Sequence, residues 1–352
     1  MRALLYDSFR GPVRVAEVPD PEPPADGVVV RVVATGLCRS DWHGWQGHDA
    51  DIRTLPHVPG HELAGEVVAV GREVRGWRGG ERVTTPFVLG CGACPECLAG
   101  DAQVCRRQWQ PGFHGWGSFA EYVALPRADF NLVRLPDGLS AEEAALLGCR
   151  FATSFRGLVQ QGRVRAGERV AVFGCGGVGL SAIMIAAACD AQVIALDIDP
   201  AQLALARALG ATHTLDTRAL ADVPEAVRAL SAGGAHLTVD ALGHRQLVRD
   251  ALLSLRPRGR HIQIGLLTGA HADPPLPMGA VIGRELALLG SHGMAARAYP
   301  DLLGLITAGR LPLARLLTRR LSLADGAAAL MTLVDSPTTG VTVIQPGENK
   351  ST

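Results

Sequence analysis

The chain has 352 residues, 34 Lys and Arg against 34 Asp and Glu for a formal net charge of zero, and eight cysteines. That length exceeds one ordinary core and points to two domains. The balanced charge, with no basic tract, argues against a nucleic-acid partner. No long apolar core follows Met1, so the thiols are expected to be reduced, in a cytoplasmic setting.

Residues 1–150 read as mostly β. Short alternating runs at 28–33 and 66–70 are separated by Gly and Pro clusters. Between and after them stand two metal-ligand patterns. The compact one is Cys91, Cys94, Cys97 and Cys105, a C-x2-C-x2-C-x7-C run. Four sulfurs close a tetrahedral zinc site, which makes it structural. The dispersed one is Cys38, then His61-Glu62, then Cys149. Two thiolates and one imidazole leave a fourth position free, which suits a catalytic zinc. A single Cys or His is more often a packing residue than a ligand. Here Cys38-Arg39-Ser40-Asp41-Trp42-His43 sets a thiol, cation, hydroxyl, carboxylate and imidazole together.

From about residue 151 strand-like runs (169–173, 192–196, 236–239, 261–264, 286–290) alternate with Ala/Leu-rich stretches, which predicts βαβ units and a parallel sheet. The stretch 170–189 carries no charged residue and is long enough to raise a membrane span. Its glycines at 174, 176, 177 and 179 instead divide it into strand, turn and buried helix. That turn, Gly174-Cys175-Gly176-Gly177-Val178-Gly179, is a G-x-G-x-x-G loop in strand–turn–helix context, where a dinucleotide pyrophosphate meets free N–H groups. The next strand ends at Asp197, which either binds the adenosine ribose hydroxyls or caps the following helix. A carboxylate there, with Asp199 nearby, repels a 2′-phosphate and favours NAD over NADP. Helices are expected at 299–309 and 324–334, a last strand at 340–344, and a loose tail at 347–352. Cys175 and Cys189 read as buried apolar residues.

The Cys38–His43 segment, the segment from Gly60-His61-Glu62 to Gly71, the four-cysteine run, Leu147-Gly148-Cys149 and the glycine loop occur in the same order as in the zinc-dependent medium-chain alcohol dehydrogenases. The chain resembles that family over nearly its whole length. The resemblance implies an α/β fold: a GroES-like, β-rich catalytic domain from residues 1–150 and 293–352, and a Rossmann domain, a doubly wound parallel sheet, inserted as residues 151–292. It implies two zinc ions per subunit. Cys38, His61 and Cys149 would hold the catalytic ion, and Cys91, Cys94, Cys97 and Cys105 the structural one. Gly174, Gly176, Gly177, Val178, Gly179 and Asp197 would bind NAD, and Arg39 its pyrophosphate.

By the same resemblance Glu62 is a carboxylate able to approach the metal during ligand exchange, and Asp41 orients His61. Ser40 relays the alcohol proton and His43 is the base at the solvent end. Phe87, Trp45, Trp109 and Trp116 are either pocket wall or ordinary packing. The implied activity is hydride transfer between a small alcohol, primary and aliphatic or benzylic, and its aldehyde or ketone. The alternatives are a polyol or amino-alcohol dehydrogenase, which often has glutamate in place of Cys149, a biosynthetic carbonyl reductase, or a zinc- and NADH-binding protein without turnover. Two departures stand out. The segment 340–344 lacks the Arg that many members use for pyrophosphate, and the segment between Cys105 and Phe119 is short, which in similar bacterial enzymes accompanies a homotetramer rather than a dimer.

Overall fold

The computed structural model describes residues 1–335 and 338–347. The expected loose tail lies, from residue 348 on, outside the described residues. The chain divides into two compact units, one of Met1–Ala152, Gly293–Gly309 and Leu317–Thr352, the other of Thr153–His292 and Arg310–Leu316.

The second unit is built on six parallel strands. In spatial order they are His213–Asp216, Gln192–Asp197, Arg169–Phe173, Ala235–Asp240, Leu255–Gln263 and Ala287–Gly290. This is the 3-2-1-4-5-6 order of a doubly wound dinucleotide fold, whose ligand crevice lies outside the carboxyl ends of the strands. The central strand explains why the sequence run is apolar throughout: Val170, Ala171, Val172 and Phe173 are at most 1% exposed. A parallel strand covered on both faces has no polar side to show. The helix Gly177–Ala188 that follows is equally apolar, with Leu180, Ile183 and Ile185 buried. Among the described residues no helix is long and apolar enough to cross a membrane.

The first unit carries a seven-stranded sheet. Its main path runs Leu317–Ser322, Val341–Gln345, Val28–Gly36, Leu63–Val70, Arg82–Thr84, Val133–Arg134, and Tyr122–Leu125 pairs with Val28–Gly36. One side of the Val28–Gly36 strand packs Val28, Val30 and Val32 against Leu63, Val67, Val83 and Leu125. Full burial of each such side chain is worth about 1.5–3 kcal/mol. The strand Leu317–Ser322 differs from the sequence expectation, which placed none there. It is an edge strand with Thr318, Arg319 and Arg320 exposed, so it lacks the apolar alternation that marks a half-buried strand. The helices expected at 299–309 and 324–334 run Tyr299–Thr307 and Leu323–Met331. The second is capped by Ser322, whose Oγ accepts from the Asp325 N–H.

Candidate metal centre and dinucleotide loop

Three segments of the first unit deliver the dispersed donors. Cys38 is the extended residue that starts the helix Arg39–Trp45, and Asp41, three positions on, turns its Oδ2 back to accept the Cys38 N–H at 3.0 Å. His61 lies just ahead of the strand Leu63–Val70. Cys149 sits in a widened helical turn, Leu147–Phe151, of the π type that recurs at functional sites. Although His61 and Cys149 are 88 residues apart in sequence, the donor atoms of Cys38, His61, Glu62 and Cys149 all lie within 4.8 Å of one another.

Asp41 also fixes the histidine. Its Oδ1 accepts the Gly60 N–H at 3.0 Å and lies 2.8 Å from His61 Nδ1. With the proton on Nδ1, the Nε2 lone pair is left over, and that buried atom has no hydrogen-bond partner. A buried imidazole nitrogen is rarely orphaned. Two sulfurs and one bare imidazole nitrogen are the donor set of a borderline-soft cation such as zinc, so the residues fit the group. The thiols agree. Cys38 is held well below the usual thiol range by the hydrogen bond from Cys149, against burial and with help from His61 and Arg150. Burial presses His61 down, but Asp41 and Cys38 carry it well above the usual imidazole range, so a cation held at Nε2 would take the place of a proton there.

Glu62 is not free. Its Oε1 accepts from the Arg150 N–H and from Nε, each at 3.0 Å, and its Oε2 from Nη2. The guanidinium's Nη1 donates to the Leu37 carbonyl at 3.1 Å. Glu62 is 0% exposed. Burial pushes its carboxyl up while Arg150 pulls it down.

The compact cysteines form a separate cluster, their sulfurs also within 4.8 Å of one another. Pro95 opens the one-turn helix Pro95–Ala99 and left-handed Gly100 ends it, which folds the loop around the thiols. Sulfur here accepts N–H groups: Cys105 Sγ from Cys91 and Arg107 backbone at 3.3 Å each, and Cys91 Sγ from Arg107 Nη2 at 3.2 Å. Cys91 is held down to about 6, chiefly by the Ala93 N–H, whereas burial pushes Cys97 up to about 12. Four sulfurs within reach of one another fit a closed zinc site.

In the second unit, the loop after Arg169–Phe173 turns at Gly174, φ +90°, a left-handed conformation that suits glycine. A Cβ on Gly179 would stand 1.8 Å from the Gly174 carbonyl oxygen, whereas one on Gly176 would meet nothing within 4 Å. Gly179 thus serves close packing and Gly176 faces open space. Gly176 caps the helix, and Gly177 and Val178 are its first two residues, so their N–H groups point out of its N-terminus. Asp197 braces the loop: Oδ2 accepts the Cys175 N–H at 2.6 Å, and Oδ1 those of Ile198 and Asp199. The helix Pro200–Ala208 is capped by Asp199 instead, which decides between the two readings of Asp197 as far as capping goes.

Comparison with known proteins agrees with this geometry. The alcohol dehydrogenase GroES-like domain profile matches residues 24–137, and the zinc-binding dehydrogenase profile residues 177–308. An alcohol dehydrogenase of Geobacillus stearothermophilus is 33% identical over 83% of this chain and 84% of its own. A probable zinc-binding alcohol dehydrogenase of Mycobacterium tuberculosis is 35% identical over 94% of this chain and 85% of its own. A solved NAD-dependent alcohol dehydrogenase superposes with TM-score 0.88 at 34% identity, covering 99% of this chain and all of that one. The chain belongs to the zinc-dependent medium-chain dehydrogenase/reductase family. Two cysteines and a histidine are the catalytic zinc ligands associated with alcohol dehydrogenases in general.

Other expected residues of this oxidoreductase are distributed unevenly. Ser40 Oγ lies 3.9 Å from Cys38 Sγ. His43 is one turn further along the same helix, its Nδ1 3.1 Å from His48 Nδ1. Burial, then Arg39 and His48, lower its pKa. Arg39 is exposed. Of the four aromatic candidates, only Phe87 adjoins the donor set, edge-on to His61 at 6.2 Å. Trp45 belongs to a core with Leu4, Leu37 and Phe119, and its Nε1 donates to the Gly11 carbonyl. Trp109 packs on the sheet core, and exposed Trp116 donates to the Pro56 carbonyl. For these three the structure shows packing and backbone contacts. Two residues at the site were not foreseen. Phe113 lies 5.3 Å from His61, in a loop with no sequence mark. Arg150 did leave one, as the lone charge in the otherwise apolar run 144–152.

Proposed function

We propose that this protein interconverts a small primary alcohol, aliphatic or benzylic, with its carbonyl compound, using NAD and two zinc ions per subunit. The observation that carries the reading is the bare, buried Nε2 of His61 facing the thiols of Cys38 and Cys149. A metal ion held by these three residues supplies a Lewis acid to the substrate oxygen, and NAD supplies the hydride acceptor.

The chain's own groups do the rest. Asp41 holds His61 in the Nδ1–H tautomer. Phe87 and Phe113 flank His61 and exclude water. The Ser40 hydroxyl accepts the alcohol proton, and His43, on the same helix face three residues on, receives it at Nε2 in the tautomer whose Nδ1–H donates to His48 Nδ1. Its lowered pKa keeps that ring neutral and ready to accept. Asp197, at the end of the second strand, takes the adenosine ribose hydroxyls, with Arg39 on the pyrophosphate. Two carboxylates, Asp197 and Asp199, disfavour a 2′-phosphate. The nearby Arg218 is engaged with Asp216 at 2.7 Å, which supports NAD over NADP. In this reading residues 1–150 and 293–352 form the catalytic domain and 151–292 the NAD domain. Eight free cysteines support a cytoplasmic setting, and the short segment after Cys105 supports a homotetramer.

The test is NADH formation by absorbance over a panel of short primary, secondary, benzylic, terpenoid and polyol alcohols, with NAD and NADP in parallel. Zinc is counted by elemental analysis and mass by light scattering. A primary or benzylic winner with NAD and two zinc ions per chain is expected. A polyol winner, an NADP preference, or silence in protein that holds both ions would overturn the corresponding part.

A further inference from the structure

The buried Arg150–Glu62 pair is tied to all three donor segments. Arg150 follows Cys149, Glu62 follows His61, and Leu37, whose carbonyl accepts from Arg150 Nη1, precedes Cys38. By distance Glu62 is itself a fourth donor, with a carboxylate oxygen within 4.8 Å of the two sulfurs and the imidazole nitrogen. What sets it apart is that both its oxygens are engaged by Arg150, through the backbone N–H, Nε and Nη2. The pair has no spare volume on its other side. A Cβ on Gly36 would stand 2.1 Å from Glu62 Oε2 and 2.7 Å from Arg150 Nη2.

We propose that Arg150 is a positioning residue that withholds Glu62 from the metal and so keeps the fourth coordination position open to exogenous ligands. The inference rests on the reading that Cys38, His61 and Cys149 hold a metal ion. The physical argument is one of alternatives for a buried charge. A carboxylate out of water needs a cation, and removing one partner of a buried pair leaves it uncompensated. Without the guanidinium, the cation left within reach of Glu62 is the metal. A fourth protein donor would convert an open site into a closed one, the difference between a catalytic and a structural zinc.

The experiment uses the full-length protein with cobalt(II) in place of zinc and imidazole as the probe of the open position, read from the visible spectrum. Arg150→Leu is expected to alter the resting cobalt spectrum and to weaken imidazole binding, on the order of 10- to 100-fold, as for other residues that orient metal ligands. Arg150→Leu combined with Glu62→Gln is expected to restore near wild-type imidazole affinity, because no anion is left to coordinate. Arg150→Lys retains a cation but not the two-pronged contact, and an intermediate loss is expected. It serves if the leucine variant does not fold. Unchanged imidazole affinity in Arg150→Leu or Arg150→Lys would overturn the proposal. So would a double variant as weak as the single one, since that places the effect in packing. Wild-type protein that takes up no cobalt beyond the four-cysteine cluster would overturn the underlying metal reading.

Discussion

Asp41→Asn tests whether the centre is held by its carboxylate. Asp41 is 2% exposed and accepts from three groups: His61 Nδ1 at 2.8 Å, the Gly60 N–H and the Cys38 N–H, each at 3.0 Å. Asparagine keeps one oxygen. If that oxygen stays with His61 and Gly60, the amide NH2 faces the Cys38 N–H, donor against donor in a buried place. An orphaned buried donor costs about 1–3 kcal/mol. Independently, loss of a carboxylate that orients a ligating histidine lowers metal affinity by about 10- to 100-fold, which is about 1.4–2.8 kcal/mol. The two routes agree in size. Zinc release from the purified protein to a colorimetric chelator is the assay. The variant should lose one zinc per chain at least about tenfold faster than wild type, the four-cysteine ion remaining. Release at the wild-type rate from folded Asp41→Asn protein would refute the reasoning, since neither the charge nor the third hydrogen bond would then matter.

In Gly179→Ala the new Cβ meets the Gly174 carbonyl at 1.8 Å, so overpacking should cost about 1–3 kcal/mol. NADH affinity by fluorescence should fall while the zinc count stays at wild type. Asp197→Asn should raise KM for NAD about tenfold, as expected for a lost charged hydrogen bond, and narrow the preference over NADP; steady-state kinetics with both cofactors reads this. For His43, burial, Arg39 and His48 all lower the pKa, so the neutral acceptor form persists below the ordinary imidazole range. Alcohol oxidation should therefore hold up as pH falls to that lowered value and decline beneath it. His48→Ala removes one of the lowering influences and should move the acid limb of the kcat–pH profile upward. In His43→Gln the limb should disappear, with partial rescue by added base. A His43→Gln profile identical to wild type would remove His43 from the proton path.

Legibility in the sequence followed how local the physics is. The four-cysteine cluster and the glycine loop each lie within fifteen consecutive residues, so spacing located them. The parallel sheet was visible because strands such as Arg169–Phe173 are apolar on both faces. The strand Leu317–Ser322 was not, because its exposed residues are Thr318, Arg319 and Arg320. Cys38, His61 and Cys149 stood out by donor type and local context, and the resemblance joined them into one ligand set, since nothing in the local sequence tells a thiol that it will face another one over a hundred residues away. The tryptophans show the limit. An indole fills a core as readily as a pocket wall, and only tertiary packing assigns Trp45 to the core around Leu4 and Phe119.

The two cysteine sites solve opposite problems. In the compact cluster the donors are near in sequence, and their neighbours in the small core are mostly each other, with Ala102 and Ala295. Little apolar mass is there to hold the loop beyond its Pro95 and Gly100 turns, so an ion bound by the four sulfurs would add much of its cohesion. In the dispersed site the donors are distant in sequence, but the protein has already joined their segments. Asp41 ties Cys38 to Gly60 and His61. The Gly36 N–H donates to the Glu62 carbonyl at 2.8 Å, and the Phe87 N–H to the Gly148 carbonyl at 2.9 Å. Tyr299 Oη donates to the Leu147 carbonyl at 2.9 Å. The three remote donor segments are thus joined to one another through hydrogen bonds that need no metal. A site organised by its ion has to keep every donor on it. A site organised by its fold can leave one position to the substrate, and can hold a fourth potential donor, Glu62, on an arginine instead.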